Sequence, residues 1–181
     1  MAQKFPQSRI TAVSNSSSQR KHIEREAARL GLSNLTVVTA DMNDFTASEA
    51  FDRIVSVEMF EHMSNWRDLL TKLRGWLAPE GRLFIHIFTH RDHPYRFDHA
   101  DKADLISQHF FTGGIMPSHN LIRHVAEPFE LEAEWRWSGP HYERTALDWI
   151  ALYDANADAV EQVLRATYGA DWQLWRRRWR L

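Results

Sequence analysis

The stretch Ile54-Val55-Ser56-Val57-Glu58-Met59-Phe60-Glu61-His62-Met63 constrains this chain more than any other. The branched aliphatic residues of a buried strand give way, within one step, to two carboxylates and an imidazole. In an open sheet of parallel strands, ligands collect outside the carboxyl ends of the strands. A strand that runs into Glu-x-x-Glu-His therefore carries proton-handling groups to the place where a substrate would sit.

Around that junction, strand-like and helix-like patterns alternate. Arg9 to Ser14 reads as a short buried strand, and Asn15-Ser16-Ser17-Ser18 supplies N-cap residues for a helix with Ile23, Ala27 and Leu30 on one face, ending at Gly31. Leu35 to Ala40 reads as a second strand and Phe51 to Val57 as a third. From Asn65, the apolar positions Trp66, Leu69, Leu70, Leu73, Trp76 and Leu77 predict an amphipathic helix stopped by Pro79 and Gly81. Leu83 to Phe88 is a near-continuous apolar run, as expected of a strand covered on both faces. Strands and helices in this rhythm predict an α/β fold with a parallel, doubly wound sheet.

Between His90 and Asn120 the rhythm breaks, and the crowding of histidines, charges and aromatic rings reads as a lid or substrate insertion. Phe129 to Trp137 alternates apolar and polar residues and predicts a late, antiparallel strand. Gly139-Pro140 is expected to turn the chain, and the remainder reads as helical with a break near Tyr168-Gly169. A single domain over all 181 residues is expected, with 90–120 as its insertion.

Composition narrows the chemistry. Cysteine is absent, which removes disulfides, thiolate nucleophiles and cysteine metal sites together. No apolar run reaches the roughly 20 residues of a membrane span, and the first residues carry no signal-peptide or lipidation pattern, so a cytoplasmic protein is expected. A net charge of −2 gives no global field for nucleic acid. The Trp175 to Arg180 run reads as a helix whose arginines are solvated or paired, with peripheral membrane contact as its alternative.

From the residues alone, Glu58, Glu61 and His62 have the i, i+3, i+4 spacing that places side chains on one face of a helical turn. Two readings stay open. Acids favour the positive end of a helix dipole, and a carboxylate beside an imidazole is also suited to moving protons near neutral pH. A third reading, zinc hydrolysis, arises because Glu-x-x-Glu-His is one letter from His-x-x-Glu-His, but it lacks a ligand and the long helix that motif needs.

Ser56-Val57-Glu58-Met59-Phe60-Glu61-His62-Met63, together with Phe110-Phe111-Thr112-Gly113-Gly114-Ile115-Met116-Pro117-Ser118, resembles a known family. It is similar to the cyclopropane-fatty-acid-synthase-like class I methyltransferases that use S-adenosylmethionine, and within them to the branch containing the coclaurine-type N-methyltransferases. Ser14-Asn15-Ser16 followed by Gln19, then Thr39-Ala40-Asp41, then His141-Tyr142-Glu143-Arg144-Thr145 fall in the order of that family, and the resemblance runs from Phe5 to the end.

The resemblance implies a class I, Rossmann-like methyltransferase sheet with a helical and lid-like insertion. It also implies that the family's first central strand and Gly-rich loop are lacking here, between the strands at Arg9–Ser14 and Phe51–Val57. The chain is accordingly expected to be a piece of a larger enzyme, truncated at both ends, and a piece without that loop would have an incomplete cofactor site.

By the same resemblance, S-adenosyl-L-methionine is the cofactor. Asn15 and Gln19 would reach its ribose hydroxyls, Asp41 would accept from the adenine amine, the Met42 backbone would donate to a ring nitrogen, and Val57 would flank the cofactor. For Asn15 and Gln19, plain helix capping stays open, and for Asp41 a simple turn. Glu61 and His62 are implied as the base, with Glu58 orienting a small amine or the cofactor. In the cyclopropane synthases, residues matching Glu61, His86 and Tyr142 hold a bicarbonate, and glycine stands where this chain has Glu58. An added carboxylate disfavours a bound anion and favours a cationic amine, so N-methylation of a small aromatic amine is expected over cyclopropanation of a lipid acyl chain. From pattern alone His86 reads as a core histidine, and Phe110, Phe111, Trp135 and Trp137 as either pocket lining or core.

Overall fold

A computed structural model describes all residues except His99, Ala103 and Thr112. The chain divides into two compact units, Met1–Glu130 and Leu131–Leu181.

In the first unit, β1 (Ile10–Ser14) leads through α1 (Ser17–Arg29) to β2 (Leu35–Thr39), and the two strands pair in parallel from Ile10 opposite Leu35 to Ser14 opposite Thr39. Ser16 caps α1, its hydroxyl accepting from the Gln19 N–H. The helix ends as the sequence predicts. Gly31 takes φ +66, its N–H donates to the Ala28 carbonyl and the Leu32 N–H to the Ala27 carbonyl, so the last carbonyls are satisfied by a left-handed cap that disfavours a side chain.

The second ladder repeats the plan. β3 (Phe51–Val57) leads through a short 3-10 turn (Phe60–His62) and α2 (Trp66–Trp76) to β4 (Leu77–His86), again in parallel, with Ile54 opposite Leu83 and Val57 opposite His86. α2 is capped by Asn65 and buries Trp66, Leu69, Leu70 and Leu73, which with Phe60 form the core against Ile54, Leu83 and Ile85.

Two expectations for β4 are corrected. It starts six residues before the apolar run, because Leu77 pairs with Phe51 ahead of a register shift that restores Arg53 opposite Arg82. It is also covered on one face only. Leu83 and Ile85 meet the α2 core while Phe84 is 42% exposed, as are Val55 and Val57 of β3 at 46% and 57%.

The parallel sheet is thus present as two separate two-stranded ladders. Among the described residues β1 pairs only with β2, and β3 only with β4. The insertion follows, with β5 (Tyr95–Arg96) antiparallel to β6 (Ile115–Met116), α3 (Leu105–His109) between them, and α4 (Leu121–Val125) after.

Phe129 to Trp137 forms no strand. Period-two alternation makes a strand only where a neighbour completes the ladder, and among the described residues neither ladder extends to it. In the second unit, α5 (Gly139–Ala155) begins at the expected turn, since proline is tolerated in the first helical turn. α6 (Ala157–Tyr168) and α7 (Trp172–Arg180) follow, divided at Gly169 as expected. Two of the four arginines at this end are engaged. Arg180 reaches Asp154 at 3.0 and 2.9 Å, Arg178 lies over Trp175, and Trp175 stacks on Tyr168 at 4.3 Å. Among the described residues, no helix is long and apolar enough to cross a membrane.

Candidate active site

The C-terminal ends of β3 and β4 are tied together by the residue that follows β3. Glu58 takes φ 49, a left-handed conformation that costs a non-glycine residue about 1 kcal/mol or more, and it turns the chain so that its N–H donates to the His86 carbonyl at 3.0 Å. Its carboxylate Oε1 lies 3.0 Å from His86 Nδ1. The i, i+3, i+4 spacing therefore does not put Glu58, Glu61 and His62 on one helical face. Only Phe60–His62 enters the 3-10 turn, and two acid–imidazole pairs result, Glu58 with His86 and Glu61 with His62.

Glu61 is the buried member, 2% exposed, whereas the His62 ring is 53% exposed with Nε2 3.8 Å from Glu61 Oε1. Burial pushes the Glu61 carboxyl above its ordinary value and the Glu58 charge adds to this. Its own backbone hydrogen bond and the two imidazoles oppose the rise. Glu61 Oε2 has no hydrogen-bond partner among the described residues. Leaving a buried carboxylate oxygen without a donor is costly, in line with the upward push on this carboxyl.

The turn is held from three sides. The Trp66 indole N–H is shared between the carbonyls of Phe60 at 2.9 Å and Met63 at 3.1 Å. Ser64 Oγ donates to the Gly113 carbonyl at 3.1 Å. Gly114 lies so close to the turn that a Cβ there would overlap the Glu61 carbonyl. Phe111 stacks on His62 with centroids 5.4 Å apart, on Phe97 at 4.7 Å, and meets Phe88 edge-on. The segment from Phe97 to Gly114 therefore packs on the Glu61–His62 turn and builds an aromatic wall beside the imidazole. Phe88 and Phe97 carry no site signal in the sequence because these contacts join distant segments. The Gly113-Gly114 pair is the local signal of this packing, and Thr112 between Phe111 and Gly113 lies outside the described residues. Phe110 is partly buried.

At the ends of β1 and β2, Ser14 Oγ donates to Gln19 Oε1 at 2.6 Å, which holds that side chain over the end of β1. Capping falls to Ser16, so Asn15 is an exposed polar residue at the strand end and not the cap. Asp41 Oδ1 accepts from the Asn43 N–H at 2.7 Å, and the Asp41 carbonyl accepts from Asp44 and Phe45, making a closed turn with an exposed carboxylate. Amide oxygens beside one strand and a carboxylate beside the next are acceptors of the kind that ribose hydroxyls and an exocyclic amine require, so these residues fit the nucleoside part of the expected cofactor. Val57 is exposed at the end of β3. Tyr142 lies in the second unit on α5, 70% exposed and edge-on to Trp149, and Trp135 and Trp137 of that unit are exposed. As for the zinc alternative, no group of three acid or histidine side chains among the described residues is placed to hold a metal ion.

Comparison with known proteins identifies the family and the fold. Residues 1–178 match the family described as mycolic acid cyclopropane synthetase. The chain belongs to that family. It is 36% identical to the (S)-coclaurine N-methyltransferase of Thalictrum flavum subsp. glaucum over 163 residues, which are 89% of this chain and 45% of that enzyme. It is 28% identical to the cyclopropane-fatty-acyl-phospholipid synthase of Escherichia coli (strain K12), over 80% of this chain and 36% of that one. Among solved structures, coclaurine N-methyltransferase bound to N-methylheliamine and SAH matches 99% of this chain and 55% of its own, with a TM-score of 0.88 and 32% identity. The cyclopropane synthase MmaA2 from Mycobacterium tuberculosis shares the fold, with a TM-score of 0.73 at 22% identity. The architecture is therefore that of a class I methyltransferase of the cyclopropane synthetase family, and the chain spans about half the length of the curated relatives it matches.

Proposed function

We propose that the protein is an S-adenosylmethionine-dependent methyltransferase that N-methylates a small aromatic amine. The observation that carries this reading is the buried Glu61 carboxylate beside His62, with an aromatic wall on the imidazole and a second carboxylate, Glu58, nearby. S-adenosylmethionine supplies an electrophilic methyl group on a sulfonium. Asn15 and Gln19 bind its ribose hydroxyls, Asp41 and the Met42 N–H bind its adenine, and Val57 flanks it.

An amine accepts a methyl group only through a free lone pair. Glu61 and His62 take or hold the amine proton, a role worth about 10²- to 10⁴-fold in rate. The rings of Phe110 and Phe111 exclude water and favour the cationic product by about 0.5–2 kcal/mol each.

Glu58 sets the choice of acceptor. In the cyclopropane synthases the residues matching Glu61, His86 and Tyr142 hold a bicarbonate, and here the Glu58 carboxylate stands 3.0 Å from His86. That carboxylate repels an anion and attracts an ammonium, and the similarity to coclaurine N-methyltransferases supports the same choice.

The test is product analysis. With S-adenosylmethionine, the purified protein is offered coclaurine in one reaction and vesicles of an unsaturated phospholipid in another. N-methylcoclaurine as the sole product is expected. Cyclopropanated acyl chains with no methylated amine would overturn the reading.

A further inference from the structure

Helix α2 grips two segments that the sequence places far apart. Near its start, the Trp66 indole fixes the turn that carries Glu61 and His62. Six residues later, about 9 Å along the axis, Lys72 Nζ donates to the carbonyls of Met42 at 2.9 Å and Asn43 at 2.6 Å. The same ammonium lies 5.5 Å from the centroid of the Trp76 ring, and Trp76 meets Phe45 edge-on at 5.1 Å. Met42, Asn43 and Phe45 form the turn after β2, which belongs to the other ladder. No hydrogen bond joins β1 to β3 among the described residues, so the Lys72 bonds link the loop of one ladder to the helix of the other.

A lysine on a helix surface ordinarily leaves its ammonium in water on a mobile stem. Here the stem is partly buried and the head is spent on two main-chain carbonyls of a single turn. Holding the 42–43 and 43–44 peptides fixes the planes on either side of Asn43, whose N–H in turn binds Asp41 Oδ1. The direction of the Asp41 carboxylate follows from that anchorage, and the 41–42 peptide that carries the Met42 N–H is held within the same turn by the Asp44 and Phe45 N–H groups on the Asp41 carbonyl.

We propose that Lys72 is a positioning residue for the adenine of the cofactor. It acts through the main chain of residues 41–45 and ties the adenine turn to the helix that also orients the base. This rests on the reading of Asp41 and Met42 as the adenine site.

The test uses two variants of the purified protein, Lys72→Met, which keeps the stem over Trp76 and removes the donor, and Lys72→Arg, which restores a cationic donor. Calorimetric titration with S-adenosylhomocysteine is paired with thermal melting and with hydrogen exchange of the 43–45 amides. The expected result is affinity weakened about tenfold or more in Lys72→Met, faster exchange at 43–45, a melting temperature lowered by no more than about 5 °C, an unchanged KM for the amine, and recovery of affinity in Lys72→Arg. Wild type that binds while Lys72→Met binds equally well would overturn the role of Lys72 and leave the cofactor reading standing. Loss of affinity that tracks a larger fall in melting temperature and is not rescued by arginine would make Lys72 a structural tie and overturn the proposal. Wild type that does not bind at all would remove the adenine site, and the role of Lys72 with it.

Discussion

β1–β2 and β3–β4 are both parallel pairs joined by one crossover helix, yet α1 buries none of its residues fully whereas α2 buries four. The first ladder owes its shape to local polar bonds: the Ser16 cap, the Ser14–Gln19 contact, and the Asp41 turn. The second is built on a dry cluster of Phe60, Trp66, Leu69, Leu70 and Leu73, and the acid–imidazole pairs stand on that cluster. Nucleoside recognition asks for acceptors at a solvent-facing strand end, while a shifted carboxyl pKa requires burial. Substitutions in the first ladder are therefore expected to reach cofactor affinity, and those in the second to reach catalysis and stability.

The sharpest separation is expected at Glu61. Glu61→Gln should lower methyl transfer by about 10²- to 10⁴-fold, measured as kcat, and yet raise stability at neutral pH. Because burial lifts the folded-state pKa of this acid above its ordinary value of 4.5, the folded chain holds the proton more tightly than the unfolded chain. The stability this gives is complete below the unfolded pKa and is lost as pH rises through the folded pKa. Wild type and Glu61→Gln should melt together at acid pH, with the variant ahead above that window. Equal melting across the whole range would show that the carboxylate carries no burial penalty.

Leu70→Ala comes next. Leu70 is fully buried between α2 and the sheet, and its truncation should cost about 2–5 kcal/mol in urea unfolding. A cost below about 1 kcal/mol would mean that the second ladder is not the core of the unit.

Asp41→Ala should weaken S-adenosylhomocysteine binding about tenfold with little change in kcat at saturating cofactor. Ser16→Ala should have the smallest effect, about 1 kcal/mol of stability from the lost cap. It sharpens the comparison by showing how much of the first ladder depends on polar local bonds.

Much of this architecture is legible in the residues, and the exceptions have physical causes. β3 runs from Phe51 to Val57 as its pattern indicates, and the start of α2 and the end of α1 follow from Asn65 and Gly31, because caps and periodicity are local signals. The early start of β4 is not local, since Leu77 joins the strand only by facing Phe51. Alternation from Phe129 to Trp137 is a true period-two pattern that finds no ladder partner among the described residues.

At the candidate site, the sequence sets Glu58, Glu61 and His62 side by side, but not how they pair. A spacing of i, i+3, i+4 presumes a helix, and the left-handed turn at Glu58 instead sends that carboxylate to His86. The packing of Gly114 and Phe111 on the Glu61–His62 turn joins segments whose proximity only the folded chain defines.

The division of labour between the two ladders is tested most directly by calorimetric titration of wild type, Asp41→Ala and Glu61→Gln with S-adenosylhomocysteine under one set of conditions. Wild type and Glu61→Gln are predicted to bind equally tightly and Asp41→Ala about tenfold more weakly. No binding by wild type, or a loss of affinity in Glu61→Gln as large as in Asp41→Ala, would contradict the account.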